Sequence, residues 1–252
     1  MIYDTKDSPF KEYETKDFSL FTWLNSWYPH ICKFLRINPK KDEKALEETL
    51  ELIKSNMSSK ELKKVISRGS RVLIFAPGEK LEEQFELSLS IIDKKDTILI
   101  SADGATSFLL EQDFFPHIIV SDLDGDIDDQ FEAQQAGSIL LVHVHGDNLS
   151  TIKNNINNFK RNNLILTTQT NPLLGSYNFF GFTDGDRAVC MSTLMKAKEI
   201  SLFGFDFGPE IGKYSKRYQL NEEMKQRKMK KFLIAKSIIN WCANTGQKIS
   251  EL

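Results

Sequence analysis

From Arg71 onward the chain alternates between short, unbroken runs of aliphatic and β-branched residues and longer segments with helical spacing, and few folds accommodate that alternation. The runs are VLIF (Val72 to Phe75), TILIS (Thr97 to Ser101), HIIVS (His117 to Ser121), SILLVHV (Ser138 to Val144), LILTT (Leu164 to Thr168) and ISLFGF (Ile200 to Phe205). A strand with one wet face would alternate apolar and polar residues; the first five of these hold three or more apolar residues in succession, so both faces are covered. Covered strands separated by helices specify an α/β fold, a Rossmann-like three-layer sandwich with a mostly parallel sheet.

Residues 1–69 read differently and predict a small helical N-terminal region before an α/β domain over 70–252. Leu46, Leu50 and Ile53 recur at helical spacing, Ser58 and Glu61 match a capping box, and Gly69 reads as a helix stop. The aromatic stretch LFTWLNSWY (Leu20 to Tyr28) is expected to glue a helix onto the main domain, with the lining of a ligand or a homodimer surface as its alternatives.

Bulk properties remove whole classes of function. Lys and Arg number 33 against 35 Asp and Glu, which gives no general attraction for nucleic acid. No apolar stretch approaches the ~18 residues of a membrane span. Cys32, Cys190 and Cys242 form no CxxC pair, as suits a reducing cytoplasm better than a disulfide framework or zinc site.

In parallel sheets ligands lie beyond the carboxyl ends of the strands, and here those ends are acidic. Asp103 follows the second run, Asp122, Asp124 and Asp126 the third, His145 and Asp147 the fourth. Gln169 follows the fifth, then GFTDGDR with Thr183, Asp184, Asp186 and Arg187, and Asp206 follows the sixth. Carboxylates ~4 Å apart in a partly dry crevice repel by several kcal/mol, so a counter-charge is required. Oxygen ligands without thiols favour magnesium, manganese or calcium. Taken singly, Asp103, Asp147 and Asp184 read first as helix caps, whereas one helix start needs one cap, and the triplet at 122, 124 and 126 exceeds that. Gly78, in FAPGEK, either admits a phosphate to a helix N-terminus or simply makes the turn. His143 reads as a core residue and His145 as the better site candidate.

Familiar magnesium and nucleotide motifs are missing. There is no GxxxxGK[ST], DFG at Asp206 lacks its kinase partners, and an EF-hand would need Gly and Glu where Ile127 and Ala133 stand. IIVSDLDGD resembles the start of a haloacid-dehalogenase-like phosphatase, but Asp126 replaces the usual Thr and the motif falls on the third strand.

The ordered set ADGAT, SDLDGD, HGDN, TTQ, GFTDGDRA and GFDFG resembles the archaeal 6-hydroxymethyl-7,8-dihydropterin pyrophosphokinase family, whose core is similar to the catalytic domain of thiamin pyrophosphokinase. The resemblance covers roughly 71–236 and departs at FAPGEK, where a more Gly-rich turn is usual. It implies a magnesium-dependent transfer of diphosphate from ATP to the hydroxymethyl oxygen of the pterin, releasing AMP. On it, Asp122, Asp124 and Asp147 are expected to ligate magnesium. Asp126 is expected to reach the metal through water or take the hydroxyl proton, and Arg187 to clamp phosphate. Gly78, Asp103, Gly104, His145, Gln169, Thr183, Asp184, Asp186 and Asp206 are expected around ATP and the pterin. Asp103, Asp184 or Asp206 would read the pterin edge. The basic run Lys225 to Lys231 is either a solvated face or a cover for phosphates, with residues 209–220 as a lid. Thiamin as acceptor, phosphatase chemistry, and a silent nucleotide- or metal-binding module are the alternatives.

Overall fold

A computed structural model describes the chain apart from residues 54–56, 69–70, 93–94, 209–211, 216–220 and 252. Its strands are β1 (Arg71–Phe75), β2 (Thr97–Ala102), β3 (Ile118–Ser121), β4 (Ile139–His143), β5 (Leu164–Thr167), β6 (Ser176–Tyr177), β7 (Glu199–Phe203) and β8 (Ile249–Glu251). They form one sheet in the order β6-β5-β4-β3-β2-β1-β7-β8, and every recorded pairing is parallel. All six expected strands are present. The short edge strands β6 and β8 went unseen because two or three residues make no apolar run.

Side chains alternate across the sheet as a pleat requires. Val72, Ile74, Ile100, Val120 and Leu141 face one core, while Leu73, Phe75 and Leu99 face a second on the other side. The helices are α1 (Leu20–Thr22), α2 (Tyr28–Leu35), α3 (Pro39–Leu52), α4 (Ser59–Arg68), α5 (Leu81–Ser88), α6 (Ala105–Glu111), α7 (Ile127–Ala136), α8 (Leu149–Asn154), α9 (Asp184–Leu194) and α10 (Glu222–Asn244). Helix α9 crosses β1, β2 and β3 beneath α10, whereas α5 and α6 cover the opposite face and α3 meets α8 there. The expected three layers are therefore present.

The N-terminal helices share the main core. Phe10, Trp23 and Trp27 are fully buried, Trp27 lies 5.2 Å from the ring of Trp241 in α10, and Trp23 Nε1 donates to the Gln169 carbonyl at 2.8 Å. Each buried Trp removes ~200 Å² from water, an upper bound of about 5 kcal/mol. The stretch expected to glue or dimerise thus spends its rings internally, with Phe21 as its main exposed apolar side chain. Ser58 and Glu61 form the expected capping box, with Ser58 N donating to Glu61 Oε2 at 2.9 Å and Glu61 N to Ser58 Oγ at 3.4 Å. Gly69, read as the stop of α4, lies outside the described residues.

The chain runs outward from β1 to β6 and then returns to β1's other side as β7. This reversal opens a crevice past the carboxyl ends of the strands. No helix among the described residues is long and apolar enough to cross a membrane.

Candidate functional site

The crevice holds a cleft of about 630 Å³, lined by residues from the ends of β1, β2, β3, β4 and β7 and from α10. At its floor, carboxylate oxygens of Asp103, Asp122 and Asp124 all lie within 4.8 Å of one another. Asp103 (φ 45°) and Leu123 (φ 65°) both sit in the left-handed region, which bulky residues avoid. Such strain persists only where packing enforces it, and Leu123 is anchored in the core.

Asp103 is buried, and one of its oxygens, Oδ1, accepts from Ser121 Oγ at 2.8 Å, Gln130 Nε2 at 3.0 Å and Gly125 N at 3.2 Å. Burial, followed by the charges of Asp122 and Asp124, pushes its acid up to about 8. Burial and then Asp122, Asp103 and Asp124 likewise hold Asp184, at the start of α9, well above the usual carboxylate range. A floor of hard oxygen donors that resists ionisation in isolation suits a divalent cation.

The third acid of the DLDGD triplet is placed elsewhere. Asp126 caps α7, its Oδ1 accepting from Asp128 N at 3.2 Å, and it is not among the residues lining the cleft. One cap therefore does account for one member of the triplet. Asp147 lines the cleft but stands outside the cluster of three, where Asp103 joins instead. His145 Nε2 is 3.6 Å from Asp122 Oδ2, and its Nδ1 accepts from Asp147 N at 3.2 Å.

Arg187 departs most from expectation. It is fully buried, is not among the residues lining the cleft, and donates through Nη1 to the Phe180 carbonyl at 3.1 Å, while Nε and Nη2 find no partner. One turn into α9 its backbone is packed on Gly181, where an added Cβ would lie 2.4 Å from the Arg187 Cα. In this position its charge acts on Asp184 and Asp186, which in turn favour its charged form against burial. Asp186 is structural, its Oδ2 accepting from Thr183 N at 3.0 Å and Thr183 Oγ1 at 2.7 Å.

At the first loop, Asp206 Oδ2 accepts from Lys80 N at 2.9 Å. A Cβ on Gly78 would stand 2.2 Å from the Gly204 carbonyl oxygen, so Gly78 lets the β1 and β7 loops touch. Gly104 is pressed against the backbone of Tyr214, and Gly212 against the Pro77 and Gly78 carbonyls. Of the expected lid, 209–211 and 216–220 lie outside the described residues, and Gly212 to Ser215 pack onto these loops.

Three cations of α10 line the cleft. Lys228 donates to Ser215 Oγ at 2.9 Å, Arg227 donates to the Leu35 carbonyl at 3.0 Å, and Lys231 lies 5.9 Å from the Phe182 ring centre. Lys225 instead pairs with Glu222 at 2.9 Å. The basic run is thus split between cleft wall and solvated face.

Two site residues escaped the sequence reading. Asn148 donates to the Asp122 carbonyl at 2.8 Å and the His143 carbonyl at 2.6 Å, tying the ends of β3 and β4; its signal was its place in HGDN. Asp42, 4% exposed, enters from α3, where it reads simply as an acid favoured in a helix's first turn. Its carboxylate accepts from Gly146 N at 2.8 Å, Gln169 Nε2 at 2.7 Å and Tyr28 Oη at 2.7 Å.

The family model described as 6-hydroxymethylpterin diphosphokinase MptE-like matches residues 47–212. A protein of Pyrococcus furiosus named 6-hydroxymethyl-7,8-dihydropterin pyrophosphokinase is 38% identical over 226 residues, 88% of this chain and 93% of its own. Proteins of the same name are 34% identical in Methanothermobacter thermautotrophicus, over 89% of this chain and 95% of theirs, and 39% in Methanocaldococcus jannaschii, over 71% and 76%.

Proposed function

The chain belongs to the 6-hydroxymethylpterin diphosphokinase MptE-like family, and from that premise we propose that it transfers diphosphate from ATP to 6-hydroxymethyl-7,8-dihydropterin, giving the pterin diphosphate and AMP. The observation that carries this reading is the cluster Asp103, Asp122 and Asp124 facing Arg227, Lys228 and Lys231 across one cleft. A polyphosphate chelated to a divalent cation satisfies both walls at once.

Asp103, Asp122 and Asp124 would hold magnesium, with Asp147 at the margin. A bound magnesium supplies charge neutralisation where phosphate oxygens meet the carboxylates. The cations of α10 draw the triphosphate across that floor. The hydroxymethyl oxygen attacks the β-phosphorus in line, the bond from that phosphorus to the α,β-bridging oxygen breaks, and AMP departs with that oxygen. The hydroxyl proton passes to Asp184 in its ionised form, whose proton affinity burial and the neighbouring carboxylates raise.

The test is to incubate the protein with magnesium and ATP, adding the pterin, thiamin or a simple phosphate ester in separate tubes, and to resolve products by mass. AMP and pterin diphosphate formed only with the pterin, and lost in Asp122→Asn, are expected. AMP formed with thiamin alone, or hydrolysis of the ester with ATP intact, would overturn the reading.

A further inference from the structure

Beyond the acidic floor, the end of the cleft formed by β4 and β5 contains a buried polar atom that the protein leaves unsatisfied. His143 is 4% exposed at the end of β4 and lines the cleft, yet its Nε2 has no hydrogen-bond partner. Its Nδ1 lies 3.4 Å from Thr167 Oγ1, whose one proton is donated to the Val142 carbonyl at 3.2 Å. With that proton given to Val142, the Thr167 oxygen is placed to accept from Nδ1–H, the tautomer that leaves a lone pair on Nε2. Burial holds the ring neutral, the charges of Arg187, His145 and Lys231 acting in the same direction and the Gln169 amide in the other. Gln169 is itself oriented: its amide nitrogen is committed to Asp42, and its side chain lies against the His143 ring on the cleft wall. A buried acceptor without a donor costs about 1–3 kcal/mol, and such a cost persists where a ligand relieves it.

The opposite end, three strands and about 14 Å away, is built differently. Gly78 and Gly204 bring backbone to its surface and Phe205 and Phe207 wall it, which suits an apolar purine face. On the diphosphotransferase reading above, we propose that the β4–β5 end seats the flat heteroaromatic acceptor ring, with His143 Nε2 accepting an N–H of its aminopyrimidinone edge. His143 is then a specificity-determining residue for the acceptor and a bystander to the nucleotide.

The experiment titrates 6-hydroxymethylpterin by fluorescence, and α,β-methylene-ATP with magnesium by calorimetry, into wild type, His143→Phe and His143→Asn. His143→Phe should weaken the pterin roughly tenfold, leave the nucleotide analogue within about twofold, and be partly rescued by His143→Asn. Pterin affinity unchanged in His143→Phe, or a loss confined to the nucleotide, overturns the placement while leaving the transfer reaction standing. Wild type that binds no pterin overturns both. A variant-free check uses ¹⁵N histidine resonances, of which the chain has four. The His143 Nε2 signal should shift with the pterin and stay still with the analogue; the reverse pattern overturns the placement.

Discussion

The carboxylate of Asp42 accepts the backbone N–H of Gly146 at 2.8 Å across 104 residues of sequence. Through that bond a helix from the N-terminal region holds the β4 loop that carries His145 and Asp147, and through a second, to Gln169, the segment after β5. The N-terminal helices are therefore part of the site's frame.

Asp42→Asn would set an amide N–H₂ against groups that are all donors. Loss of a charged acceptor should cost about 2 kcal/mol in denaturant unfolding, and displacement of the His145 loop should lower turnover roughly tenfold or more. Full stability with full activity would show that the loop holds itself.

Asp103 gives the protein a pH dependence of definite sign. Its acid stands at about 8 in the fold against 3.8 ordinarily, so between those values the folded chain keeps a proton that the unfolded chain has lost. Stability from this group is complete below 3.8 and declines as pH rises toward 8. The melting temperature of metal-free protein should therefore fall over pH 5 to 8. Asp103→Asn should flatten that slope, and magnesium should oppose it.

Arg187→Met tests the buried guanidinium. Removing it leaves Asp184 and Asp186 without their nearest cation, which should cost about 3 kcal/mol of stability. The loss should appear first in unfolding experiments. An unaltered melting curve with a selectively raised KM for ATP would mean that the side chain reaches phosphate after all.

Gly78→Ala places a methyl 2.2 Å from the Gly204 carbonyl oxygen and 2.3 Å from Asp206 Oδ2. Backbone on one side cannot give way cheaply, so the β1 and β7 loops should separate, at about 2 kcal/mol in unfolding. Unchanged stability would mean that the two loops part freely.

The sequence by itself determined the sheet, its parallel sense, and the end of it that carries the site. Those features depend on patterns read within a few residues: VLIF, and the ILLV within SILLVHV, are unbroken apolar runs because both faces of their strands are covered. The ring of acids follows from the rule that parallel sheets use their carboxyl ends. Tertiary structure decided which acids meet. Asp103 joins Asp122 and Asp124 because β2 lies beside β3, while Asp126, two residues further on, has already begun a helix. It also turned Arg187 inward, since the rotation of α9 is set by what packs against it. And it brought Asp42 into the frame, because a first-turn acid on a helix looks the same in sequence whether it faces water or a loop 104 residues away.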